Sequence, residues 1–206
     1  MYQNEMIEWA KKLFPKHRSI TGKGIRESLS FFEKINPEFK RIKFRSGKKV
    51  FDWKIPLEWN IEDAYIQHVK SGKKFCEFKK NNLHVVSYSQ PINKTISKKE
   101  LIKKIYTQKN QINSIPYVTS YYKKSWGFCM SEKQKRKLPR GLYKVYINSS
   151  FKKGTLDLSH CILKGKSKKE IFFSTYICHP SMANNELSGP VVMNAIIKYI
   201  KKNYKN

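Results

Sequence analysis

An apolar run, Glu170–Cys178 (EIFFSTYIC), stops at a histidine, and small and amide side chains follow in Pro180–Pro190 (PSMANNELSGP). A run this rich in β-branched and aromatic residues, apolar on both faces, reads as a central strand covered on two sides. His179 then stands at the carboxyl end of that strand, where open α/β sheets bind ligands. Strand, histidine, short loop and helix make a sound holder for a metal ligand. The strand fixes the backbone, and neutral imidazole suits zinc. Asn185 and Glu186, in the loop, offer oxygen donors to the same ion or to its ligands. The competing assignment is a hydrogen-bonded structural histidine followed by a helix-capping loop without metal.

The remaining residues of this chemical type carry less. His84 and His160 fall in strand contexts and read as structural, while His17 and His68 sit in no motif. Cys76, Cys129, Cys161 and Cys178 are far apart with no C-x-x-C, so neither a zinc ribbon nor a disulfide scaffold follows. The glycines of His17–Gly24 (HRSITGKG) do not form a phosphate loop, because G-x-x-x-x-G-K-[ST] is absent and no strand precedes them.

Around these residues the pattern sets out the elements. Met6, Ala10, Leu13 and Phe14 share a helix face that Pro15 terminates, and a second helix covers 25–35. The periodicity then changes to strands at 39–44, 49–55 and 83–88, with a hairpin of 64–69 and 75–78 around Ser71-Gly72. Trp53, Trp59 and Tyr65 read as core aromatics of this β-rich stretch. A short helix is expected over 98–106, and 141–148 is expected to pair with 155–163 across Gly154. After the histidine loop, Pro190 marks a helix start capped by Ser188 or Gly189, with Val192, Ala195, Ile196, Tyr199 and Ile200 as its apolar face.

Composition bounds the function classes. The 206 residues hold 43 basic and 15 acidic side chains, a formal charge of +28. That balance brings polyanions to mind. The lysines, however, are scattered among many Asn and Ile residues, as an A-rich coding bias would leave them. The densest runs, such as Ser131–Arg140 (SEKQKRKLPR) and Lys164–Lys169, read as solvated turns and helix ends, so no specific nucleic-acid partner is expected. The first residues, MYQNEMIEWAKKLF, are too polar for a signal peptide, and no window reaches the ~18 apolar residues of a membrane span. A reduced, cytoplasmic protein is the expectation.

Five stretches in order carry a family resemblance: LFPKHRSITGKGIRES (13–28), KVFDWKIPLEWNIEDAYI (49–66), NNLHVVSYSQP (81–91), IPYVTSYYKKSWGFCMS (115–131) and STYICHPSMANNELSGP (174–190). On these the chain resembles the bacterial aminopeptidase-like domain family, often associated with polysaccharide biosynthesis and related to co-catalytic zinc aminopeptidases. The resemblance implies an α/β fold, an αβα sandwich of zinc-aminopeptidase type interrupted by a small, protease-associated-like β-rich insert. It divides the chain into an N-terminal helical part at 1–48, the insert at 49–125 and the start of the α/β core at 126–206.

The same resemblance implies that His179 is the first zinc ligand. Asn185 stands where the broader family has a metal-bridging Asp in A-x-D-x-x-S-G, and a neutral amide lacks the charge that offsets a second cation. Glu186, one residue on, is the alternative ligand. Two zincs are implied for the intact family, and one or none for this chain. The Glu-Glu pair, Asp and His that complete such sites have no counterpart after His179. The chain therefore reads as the N-terminal portion of a protein about twice its length, with no catalytic residue of its own. The implied activity is hydrolysis of an amide or peptide bond in a peptide or in an N-acyl or aminoacyl small molecule or glycan. The alternatives are a non-catalytic binding or scaffold protein on the same fold, and a basic polyanion binder.

Overall fold

A computed structural model describes residues 2–204. In chain order its elements are α1 (Gln3–Leu13), α2 (Lys23–Ile35), β1 (Lys40–Arg45), β2 (Lys49–Val50), β3 (Trp53–Lys54), β4 (Glu58–His68) and β5 (Lys74–Phe75). There follow β6 (Ile92–Ser97), α3 (Lys98–Ile102), β7 (Ile105–Tyr106), β8 (Phe128–Cys129), α4 (Glu132–Arg136), β9 (Leu142–Lys152), β10 (Thr155–His160) and α5 (Ser188–Asn203). The fold is mixed α/β. It divides into two compact units, one of residues up to 58 together with those from 153 onward, the other Trp59–Lys152.

The second unit is built on a four-stranded sheet in the order β5-β4-β9-β6. Alternation on β9 drives its assembly: Tyr143, Val145 and Ile147 point inward and are buried, with more exposed residues between them. They pack with Ala64 and Ile66 of β4, Ile96 of β6, Leu101 of α3 and Phe128 of β8. α3 starts at a reciprocal cap in which Ser97 and Glu100 satisfy each other's backbone N–H groups, and Ser131 with Gln134 does the same for α4. Trp59 is a core aromatic as expected, stacked on Tyr88 and donating its indole N–H to the Ser89 carbonyl at 3.0 Å. His68 and His84 are buried and hydrogen-bonded to the carbonyls of Arg140 and Cys129.

The first unit joins three helices to the antiparallel pair β1–β10. Trp9 and Leu13 of α1, Ile25, Leu29 and Phe32 of α2, and Leu187, Val191 and Ala195 around α5 form its core with Ile177. Phe14, expected on the buried face of α1, lies past its last turn and is exposed. Bidentate ion pairs fasten α2: Arg26 holds Glu58 at 2.7 Å, and Arg41 of β1 holds Glu33 at 2.6 and 2.9 Å. The Ser159 hydroxyl of β10 donates to the same Glu33 at 2.6 Å. Between α5 and the end of α2, Asn36 donates to the Asn194 side-chain oxygen at 2.6 Å.

Several expected elements come out differently. Residues 170–178 form no strand with any described neighbour, because β10 pairs with β1 alone. An apolar cleft of about 260 Å³, lined among others by Leu29, Leu156, Leu158 and Met193, lies beside Thr175–Cys178 instead. Ile171 and Phe172 are 84% and 88% exposed. The expected pairing of 141–148 with 155–163 is not made either: β9 joins the sheet of the second unit, while β10 belongs to the first. The strand expected at 49–55 is a tight hairpin of β2 and β3, and 83–88 is a 3₁₀ turn with isolated bridges. The second, β-rich unit spans Trp59–Lys152 with β9 as an inner strand of its sheet, while β2 and β3 fall in the first unit.

Truncating Ile147 to Ala removes fully buried methyl groups and should destabilise the chain by about 2–5 kcal/mol in urea unfolding. Glu33 supplies a second expectation. Burial pushes its carboxyl up, but hydrogen bonds from Arg41 and Ser159 and the Arg41 charge outweigh that and hold it below the ordinary glutamate value. Its stabilisation is therefore complete above the unfolded glutamate value and is lost as pH falls through the depressed folded value. The urea midpoint should fall with acidification across that window, and Glu33→Gln should flatten the fall.

Candidate metal centre

The loop after α1 contributes Arg18, whose side chain has no exposed surface. Its Nη1 donates to the Leu13 carbonyl at 2.6 Å and its Nε to the His179 carbonyl at 3.1 Å. A residue of the N-terminal loop thus pins the backbone of the histidine 161 positions later. Gly24 lets the loop lie against α2, where a Cβ would sit 1.7 Å from the His17 carbonyl oxygen. Glycine there serves close packing rather than phosphate binding.

Downstream of His179, Ser181 adopts a left-handed conformation (φ 45°), and a single π-helical turn, Ala183–Leu187, leads into α5. A π-helical turn is wider than an α-helical one, so it shifts which residue faces inward. Here Glu186 is completely buried, whereas Asn185 is exposed and donates its amide to the Tyr176 hydroxyl at 3.1 Å. Gly189 lets α5 start against the 174–178 segment, since a Cβ there would fall 2.1 Å from Thr175 Oγ1. The helix begins without a side-chain cap, and Ser188 Oγ donates back to the Asn184 carbonyl.

These contacts bring three side chains together. His179 Nε2 lies 3.6 Å from Glu186 Oε1, and Cys178 Sγ lies 3.6 Å from His179 Nδ1. One donor atom from each of Cys178, His179 and Glu186 falls within 4.8 Å of the others. Neither Glu186 oxygen completes a hydrogen bond of good geometry among the described residues, although the backbone N–H groups of His179 and Cys178 lie near enough to favour its charge. Burial raises the Glu186 carboxyl, although the backbone N–H groups of His179 and Cys178 and the charges of His179 and Arg18 oppose the rise. Burial also lowers Arg18 to about 10, against the pull of Glu186 and Cys178, and pushes the Cys178 thiol up to about 12. An acid with two orphaned oxygens beside an imidazole fits a cation, because a cation would satisfy both.

Of the residues expected at the site, His179 and Glu186 meet and Asn185 does not. Cys178 and Arg18 went unforeseen. Cys178 is adjacent to His179, and in a regular strand it would face the opposite side. Nothing in the sequence signals Arg18. Removing its guanidinium (Arg18→Met) takes away a charge that favours ionised Glu186 and two hydrogen bonds to backbone carbonyls, and should cost about 1–3 kcal/mol of stability, measured by urea unfolding. Adding Glu186→Gln to Arg18→Met should recover part of that loss.

Known proteins resemble this chain over most of its length. Residues 58–150 match the model of a domain of unknown function, DUF2172, nearly the same span as the β-rich unit. The chain is 43% identical over 199 residues to a Clostridium acetobutylicum protein named as a candidate polysaccharide biosynthesis protein with an aminopeptidase-like domain, covering 96% of this chain and 45% of that protein. A crystal structure of a candidate peptidase from Clostridium acetobutylicum superposes with a TM-score of 0.91 at 42% identity, over 97% of this chain and 47% of that one. The chain spans about half the length of the relatives it matches, and along that half it carries the DUF2172 domain and resembles the aminopeptidase-like proteins, as its five sequence stretches imply.

Proposed function

We propose that this chain is the metal-anchoring part of an aminopeptidase-like hydrolase, with an αβα frame of the zinc-aminopeptidase kind, and that His179 and Glu186 hold a divalent cation, zinc by the chemistry of the donors. The observation that carries the reading is the buried Glu186 carboxylate, with both oxygens unsatisfied, 3.6 Å from the His179 imidazole. When bound, zinc supplies Lewis acidity towards a carbonyl and a more acidic water. The chain's own residues do the positioning. Arg18 fixes the His179 carbonyl and so limits where the imidazole can point. Glu186 supplies negative charge from a position that water does not reach. Asn185, neutral and turned to Tyr176, adds no charge for a second cation, which favours a single-metal site in this half.

A carboxylate general base is also needed for amide hydrolysis. No residue of this chain near His179 is assigned that role, so the scissile bond is met in a protein that also supplies the base. The names of the relatives favour a peptide, or an N-acyl or aminoacyl glycan, as substrate. A non-catalytic binding role is the second reading, favoured by the amide at 185.

Metal analysis of the chain after zinc loading and desalting tests the proposal. The expected content is one zinc per chain, lost in His179→Ala and in Glu186→Gln. It should be kept in Asn185→Ala, and Asn185→Asp should not tighten it. Unchanged zinc in the first two variants would remove the assignment. The chain alone should leave chromogenic amino-acid amides intact.

A further inference from the structure

We propose that Cys178, His179 and Glu186 together form a three-donor site for one borderline-soft divalent cation, with Cys178 bound as thiolate. The proposal rests on the metal-site reading above and extends it to a sulfur ligand and a metal class. Two independent observations support it. One is the clustering of one sulfur, one nitrogen and one oxygen donor within 4.8 Å. The other is the fully buried Glu186, neither of whose oxygens completes a hydrogen bond and one of which is the oxygen donor of the cluster.

Geometry and charge agree with the donor set. Zinc–sulfur and zinc–nitrogen bonds of ~2.3 and ~2.05 Å at a tetrahedral angle separate the two donors by ~3.6 Å. Cys178 Sγ lies at that separation from His179 Nδ1, while Glu186 Oε1 lies 3.6 Å from the other nitrogen, Nε2. A cation uses only one of the two nitrogens, and since all three donors lie within 4.8 Å of one another they need to draw inward to share it. Thiolate and carboxylate carry two negative charges between them, which a divalent ion offsets together with the buried Arg18 guanidinium. On binding, the Cys178 S–H bond gives way to a sulfur–metal bond and the proton leaves to solvent, with no change of oxidation state.

The donor types also select the metal. Magnesium and calcium require oxygen ligands, whereas sulfur with imidazole favours zinc or cobalt. Three protein donors leave a fourth position open, the pattern of catalytic rather than structural zinc. The other thiols lie elsewhere: Cys76 and Cys129 are buried in the β-rich unit, and Cys161 follows β10 outside the cluster.

Cobalt(II) alone, titrated into the reduced 206-residue chain, gives the test. The expected result is a near-ultraviolet sulfur-to-cobalt charge-transfer band together with the visible bands of tetrahedral cobalt, saturating at one equivalent and displaced by zinc. The sulfur band should vanish in Cys178→Ser and persist in Cys161→Ser. Visible bands without the sulfur band, or a sulfur band that survives Cys178→Ser, overturn the thiolate and leave the His179–Glu186 reading standing. Absence of all bands together with absence of zinc uptake overturns both. Should Cys178→Ser fold poorly, the wild-type chain still decides: zinc should block alkylation of Cys178 in peptide mapping, and alkylation indifferent to zinc overturns the proposal.

Discussion

A carboxylate with no exposed surface must find compensation, and Glu186 imposes that requirement on everything around it. Desolvation disfavours its charge, while a guanidinium, two backbone N–H groups and an imidazole favour it. These groups come from the loop after α1 and from the segment before the π-helical turn. They are held together by the helical core of Trp9, Leu13, Leu29, Val191 and Ala195. The apolar packing has no chemistry of its own. Its role is to keep water away from one acid so that the few polar groups beside it count heavily.

How much of this could be read from sequence depends on the range of the interaction involved. The helices 3–13, 23–35 and 188–203 follow from local periodicity and from Pro15 and Pro190, and they appear close to where the pattern puts them. His179 stands out because an apolar run ends there. The choice between Asn185 and Glu186 lies beyond local pattern, because one extra residue in a turn decides it and nothing in ANNEL announces a π-helical turn. Arg18 is further out of reach, since its partner carbonyl is 161 residues away. Strand pairing fails for a related reason. Residues 141–148 and 155–163 look like a hairpin because they are neighbours in sequence, yet β9 and β10 serve different sheets. Alternation shows that a strand has an inner face without showing which strand lies beside it.

The division into two units separates two kinds of similarity. The DUF2172 match covers the β-rich unit, while the three clustered donors all lie in the other, after residue 153. The β-rich unit satisfies most of its polar groups internally, with capped short helices and buried histidines bonded to carbonyls, and leaves the Ser87 hydroxyl without a hydrogen bond. Among the described residues, the charged side chains with unmatched buried atoms, Arg18, Asp157 and Glu186, lie in the first unit. Unmatched buried charges are costlier to keep than an unmatched hydroxyl, so their concentration in the first unit favours it as the place of binding chemistry.

The exposed stretch 170–176 has a colloidal consequence. An extended strip bearing Ile171, Phe172 and Phe173 at the surface, with no ladder partner among the described strands, is a template onto which a second chain can add edge to edge. The formal charge of +28 works against that encounter, because two such chains repel before their strips can touch. Repulsion of this kind reaches only about 10 Å at 0.1 M salt and less at higher salt. Lysines that specify no ligand would then act as spacers between molecules, and ionic strength would set how closely two copies approach.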